Sequence, residues 1–111
     1  MPHDHFTKVL LAAIEEGLSS LGDSPRKAIY YHLEASFQLK KDDIPLNITD
    51  FKIALERIFG PGAPYIEKII MQSLYEKLGL RYEDMQDKDI VVLVDDARKR
   101  ILRAGEVNVS E

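Results

Sequence analysis

The sequence predicts an all-α fold, a compact bundle of about five helices, and three observations carry that prediction. Apolar residues recur at helical spacing in successive stretches, as in Phe6, Val9, Leu10, Ala13, Ile14, Gly17 and Leu18. Helix-breaking Gly and Pro fall between those stretches, most densely at Gly60, Pro61, Gly62 and Pro64. Shifting the chain by 41 residues lays Lys8–Ile44 over Thr49–Met85 without a gap, with hydrophobic positions on hydrophobic positions.

The first helix follows a short lead, Met1 to Asp4, with Asp4 as its expected cap, and runs to about Ser20. The second opens at LGDSPRKAIYYHLEASF, where Asp23 or Ser24 can accept from free N–H groups and Pro25 suits the first helical position. Its expected buried stripe is Ile29, Leu33, Ser36 and Phe37. A connector with Leu39 and Ile44 as anchors and Pro45 as breaker leads to a third helix, Thr49 to Phe59, capped by Thr49 and stapled by Ile48 and Ile53. Gly60 ends it. The fourth helix carries Ile66, Ile69, Ile70, Leu74 and Leu78, stops at Gly79, and has Leu80 placed to fold back on the last turn. The fifth, about 88–104, is ambiguous over Ile90–Val94, where β-branched residues suit a strand, but Ile90, Val94, Ala97 and Ile101 keep helical spacing. Gly105 is its expected end, with a frayed tail beyond.

In the 41-residue shift Ala13 meets Ala54, Glu15 meets Glu56, Ile29 meets Ile70, Leu33 meets Leu74 and Leu39 meets Leu80. The reading is a single domain, 1–111, made of two tandem αα-hairpin repeats, about 8–44 and about 49–85, plus the C-terminal helix. One hairpin cannot bury its apolar face alone, so the two are expected to pack about a pseudo-twofold axis or side by side.

Composition excludes several function classes. The chain of 111 residues has no cysteine, which removes disulfides, thiolate metal sites and cysteine nucleophiles and makes a reducing cytoplasm the expected location. It has no apolar run long enough for a membrane span, and its first ten residues lack the basic start of a signal peptide, so a soluble, non-exported protein is expected. With 15 basic and 19 acidic residues, the net charge of -4 opposes a whole-surface footprint for nucleic acid.

The segment FKIALERIFGPGAPYIEKIIMQSLYEKLGL, with AIYYHLEASFQLKKDDIP before it, resembles a family of small archaeal domains of unknown function, free-standing or attached to signalling proteins as output-type domains. The resemblance covers roughly Ala28 to Asp84. Its specific parts are the FG-x-GA element at Phe59, Gly60, Gly62 and Ala63 and the LYEKLGL element from Leu74 to Leu80. It implies an all-α fold and a protein partner, and it supplies no catalytic residues.

Candidate chemistry is sparse. His3 in MPHDH lacks a copper site because Pro2 has no amide proton to lose. His32 stands alone on the second helix and pairs with Ser73 in the repeat, so both are read as helix-contact hydrogen-bonding residues rather than as general bases. The Gly60–Gly62 turn lacks the GK[ST] ending of a phosphate loop. Asp84, Asp87 and Asp89 lack the glycine and glutamate of a calcium loop, and Asp87 is read as a helix cap. With no nucleophile–base pair, no metal set and no cofactor motif, the expected function is a non-catalytic protein-interaction or regulatory module, self-associating or docking on a partner, with Tyr31 and Tyr75 as candidate contacts. The alternative is a nucleic-acid-binding regulator using Arg98, Lys99, Arg100 and Arg103, although Asp95 and Asp96 stand i,i+4 to two of them.

Overall fold

Five α-helices form where the periodicity places them: α1 (His5–Ser19), α2 (Asp23–Phe37), α3 (Ile48–Phe59), α4 (Ala63–Leu78) and α5 (Ile90–Val109). The computed structural model describes residues 5–82 and 88–109, with side chains as far as 103 in the last helix. The described residues hold helices and no strands, so the β-branched run Ile90–Val94 is the start of α5. The backbone of α5 stays helical past Gly105 to Val109, further than the expected stop.

One helix pair dominates the interior. α1 lies along α4 in the most extensive contact of the molecule, and the core between them takes Leu10, Ala13, Ile14 and Leu18 from one side and Ile66, Ile70 and Leu74 from the other. Gly17 sits where the two backbones come closest: a Cβ built on it would stand 2.6 Å from Ile70 Cγ1 and 3.3 Å from Ile70 Cα. α5 closes the other side of α4 and also packs on α3, burying Ile90, Leu93, Val94 and Ala97. α4 is therefore covered on two sides, and Glu67, Met71, Ser73 and Tyr75 are buried along with its apolar stripe.

The connections follow local chemistry, with several differences from expectation. The linker after α2 is a 3-10 helix, Lys41–Leu46, that seats Ile44 fully in the core, while Leu39 is buried just before it. α2 ends at Gln38 and α4 at Gly79, both left-handed with φ of 53° and 71°. Leu80 then folds back as expected, its N–H donating to the Tyr75 carbonyl at 2.9 Å. Neither Asp23 nor Thr49 caps its helix: Gly22 and Asn47 hold the cap positions without a side-chain cap bond, because each helix starts a residue or two earlier than the side chains suggest. Ile53 is 44% exposed, so no staple with Ile48 buries it. Ser36 is exposed, and only Ile29 and Leu33 of α2 are buried. At the start of α5, Asp89 is the cap, its carboxylate accepting from the Val92 N–H at 3.1 Å; Asp4 and Asp87 lie outside the described residues.

Some positions paired by the 41-residue shift match in burial and others do not: Leu39 is buried where Leu80 is half-buried, and His32 is exposed where Ser73 is buried. Leu10 and Phe51, Ala13 and Ala54, Ile14 and Leu55, and Leu33 and Leu74 are all fully buried. The packing of the two hairpins is unequal, since α1 lies along α4 whereas α2 meets α3 only lightly.

The Gly17 contact yields a stability prediction. Alanine gains about 1 kcal/mol over glycine in a helix interior, but overpacking a core costs about 1–3 kcal/mol, and here the obstruction includes α4 backbone. Gly17→Ala is expected to be net destabilising and Gly17→Val more so, read as falling urea midpoints at constant m.

Candidate functional site

The basic run of α5 is mostly committed to its own fold. The Arg98 guanidinium lies 4.5 Å from the centre of the Phe6 ring and ties α5 to the start of α1. Lys99 pairs with Asp95 at 3.1 Å and Arg100 with Asp96 at 3.2 Å, and Arg100 also reaches the Arg81 carbonyl at 3.5 Å. Arg103 is exposed. Three of the four cations thus face intramolecular partners, Lys99 and Arg100 through the i,i+4 spacing of acids and bases and Arg98 through a tertiary contact.

Tyr75 is not a surface residue. It is 1% exposed, and its hydroxyl donates toward the Leu93 carbonyl at 2.9 Å and the Asp96 carboxylate at 2.7 Å. Burial, then the bond to Asp96, push the phenol well above its ordinary pKa. Tyr75 is therefore corrected from a partner contact to a clamp that fastens α5 to α4. The side of α4 that looks polar in isolation is the side α5 covers.

Glu67 is a second buried group at that interface, 8% exposed. Its carboxyl accepts from the Ile90 N–H, which is one of the free donors at the start of α5. Burial raises its pKa, opposed by that bond and by Lys52, and nearby Asp89 and Glu56 add to the rise. No group of three or more metal-ligating side chains lies together among the described residues.

Tyr31 is where the sequence places it. It is 75% exposed at the middle of α2, on a face that also holds Ser24, Ala28 and Ala35, all exposed. Beside this face runs a shallow groove of about 390 Å³ between α2 and α3, lined by Ala28, Ile29, His32, Arg57 and Ile58. Arg57 and Ile58 were not singled out by sequence, because the groove exists only through the light α2–α3 contact. The i,i+3,i+7 spacing of Ala28, Tyr31 and Ala35 is the one sequence signal that marks the face beside it. His32 is exposed, edge-on to Phe37 with ring centres 5.8 Å apart and its Nδ1 3.5 Å from Ser36 Oγ, so its contacts stay within α2. Ser73 is buried beside Glu16, which it helps keep ionised, but its Oγ makes no well-formed hydrogen bond.

A polar cluster on the inner edge of α2 orients this face. Glu15 of α1 accepts from the Tyr30 hydroxyl at 2.6 Å and pairs with Arg26 at 3.2 Å and Lys41 at 3.1 Å. The Tyr30 bond is the chief reason the Glu15 carboxyl is held below its ordinary pKa, and Lys41 and Arg26 reinforce it. Lys41 also stands 5.2 Å from the Tyr30 ring centre.

Two predictions concern the α4–α5 interface. Tyr75→Phe leaves the Leu93 carbonyl and Asp96 without their donor, a loss of about 1–2 kcal/mol, and amide exchange is expected to speed up in α5 more than in α1. For Glu67 the folded-state pKa lies above the unfolded one, so its contribution to stability declines as pH rises through and above the ordinary carboxylate range. Glu67→Gln removes that titration, and the variant is expected to gain stability relative to the unmutated protein between pH 4 and pH 7 in paired denaturant melts.

No family model matches the chain, and no curated protein or solved structure is significantly similar to it. Its functional reading therefore rests on the geometry of its own residues.

Proposed function

We propose that this protein is a non-catalytic protein-interaction module that presents the outward face of α2, centred on Tyr31, to a protein partner. The single observation that carries the reading is the exposure of Tyr31, 75% open on a helix that buries only Ile29 and Leu33. A tyrosine offers large contact area at small entropy cost, and an uncharged exposed face around it is the composition found at the centre of interfaces. The adjoining groove adds apolar floor from Ala28, Ile29 and Ile58, with Arg57 and His32 at its rim. The resemblance of Ala28–Asp84 to small archaeal domains of unknown function, free-standing or attached to signalling proteins, accords with this role, and action beside a signalling chain in the cytoplasm belongs to the proposal. No helix among the described residues is long and apolar enough to cross a membrane.

Tyr31→Glu is the direct test. The immobilised chain is expected to retain a protein, itself or another, and the variant to lose it with an unchanged circular dichroism spectrum, since the residue touches no core. Retention of nucleic acid at low salt that survives Tyr31→Glu and disappears on triple reversal of Arg98, Arg100 and Arg103 to Glu would replace this reading with nucleic-acid binding through α5.

A further inference from the structure

We propose that the partner seated on α2 is a second copy of the same chain, docked through an antiparallel α2–α2 pair; this deepens, and rests on, the interaction reading. The outward face of α2 has the spacing of a coiled-coil seam. Ser24, Ala28, Tyr31 and Ala35 follow one another at intervals of four, three and four, and all are exposed. None is charged. Two alanines beside a tyrosine let the helices approach closely enough for each Tyr31 ring to lie over Ala28 of the second copy, with Ser24 against Ala35 at the outer layers.

Charge selects the orientation. In this seam Lys27 and Glu34 lie on the same flank, seven residues apart, and no other charged residue of α2 borders the seam. When two such helices run antiparallel, each flank meets the same flank of its partner. The register that stacks Tyr31 on Ala28 sets Lys27 of each copy against Glu34 of the other, giving two opposite-charge pairs across one twofold axis. A parallel pair would bring that flank against the other, where Pro25 and His32 stand, and would leave both charges unmatched. Lys27 already touches Asp23 at 3.2 Å, but both side chains are about 70% exposed (70% and 69%), so that contact is weak and easily exchanged. Glu34 has no ion pair among the described residues. On the opposite flank the same register turns Pro25 of the second copy toward His32, at the mouth of the groove that Arg57 and Ile58 line.

The helix is about 22 Å long, so the interface is narrow and the dimer belongs to the weak class. Sedimentation velocity over concentrations up to about 1 mM is the suitable measurement. Lys27→Glu and Glu34→Lys each place like charges in both flank pairs, and each is expected to weaken dimerisation about tenfold at low salt. An equimolar mixture of the two variants, and the double swap K27E/E34K, should recover the unmutated affinity, while Tyr31→Glu should abolish the dimer. A dimer that is indifferent to K27E and E34K overturns the proposal. So does a monomer at every concentration: if its Tyr31 face still captures a different protein, the interaction reading survives without self-association, and if it captures nothing, both are lost.

Discussion

The close approach of α1 and α4 at Gly17 is the constraint on which the rest of this fold depends. Any side chain at that position would meet Ile70 Cγ1 and the Ile70 backbone, so the absence of one sets how near the two helices lie. With the axes held close, Ala13, Ile14 and Leu18 lie in the core beside the α4 side chains, and each is fully buried. Lys77 on α4 then finds Glu16 on α1 at 2.7 Å, a bond that holds the Glu16 carboxyl below its ordinary pKa at the solvent edge of the seam. Everything else is added to this pair. α5 covers the opposite side of α4, and α3 fills the angle between α4 and α5 through Phe51, Ala54 and Leu55.

The architecture was legible because its determinants are local. Helical spacing located five helices, Gly79 and Leu80 located a helix end to the residue, and even the strand-like run Ile90–Val94 obeyed its spacing over its propensity. Local capping signals proved less decisive. Thr49 is a good cap residue, yet α3 begins at Ile48 with Asn47 before it, where the Asn47 side chain instead reaches back to the Asp43 carbonyl at 2.9 Å. The 3-10 turn that carries Ile44 has too few residues for any period to reveal it.

What the sequence left hidden depends on which helix lies against which. Tyr75 lies off the apolar stripe of α4, and a periodicity argument leaves it outside. Only the position of α5 buries it, and the carbonyl and carboxylate that satisfy its hydroxyl come from residues 18 and 21 positions away. The same holds for Glu67, whose burial follows from the start of α5 lying over it. In the candidate site Tyr31 was legible as an aromatic off the buried stripe, whereas Arg57 and Ile58 join it through tertiary contact alone. The basic run of α5 read correctly as a charge-paired face for Lys99 and Arg100, but the placement of Arg98 over Phe6 joins the two ends of the chain and has no local signature.

α2 shows how such a small bundle can release a helix face for other uses. Only two of its side chains, Ile29 and Leu33, are buried. Tyr30 and Phe37 add partly buried apolar contact, and a polar attachment lies on the inner edge, where Glu15 collects Tyr30, Arg26 and Lys41 from α2 and the turn after it. Those groups are directional, so they fix the rotation of α2 about its axis as apolar contacts alone would not. Burial of the Tyr30 hydroxyl and its bond to Glu15 raise the phenol's pKa well above its ordinary value, which keeps it a donor across the physiological range. Rotation fixed in this way holds Tyr31, one residue further along the helix, permanently outward. The polar cluster and the exposed tyrosine are thus two consequences of a single arrangement, and neighbouring residues in the sequence divide the work: Tyr30 anchors the helix, and Tyr31 is left free to make contact.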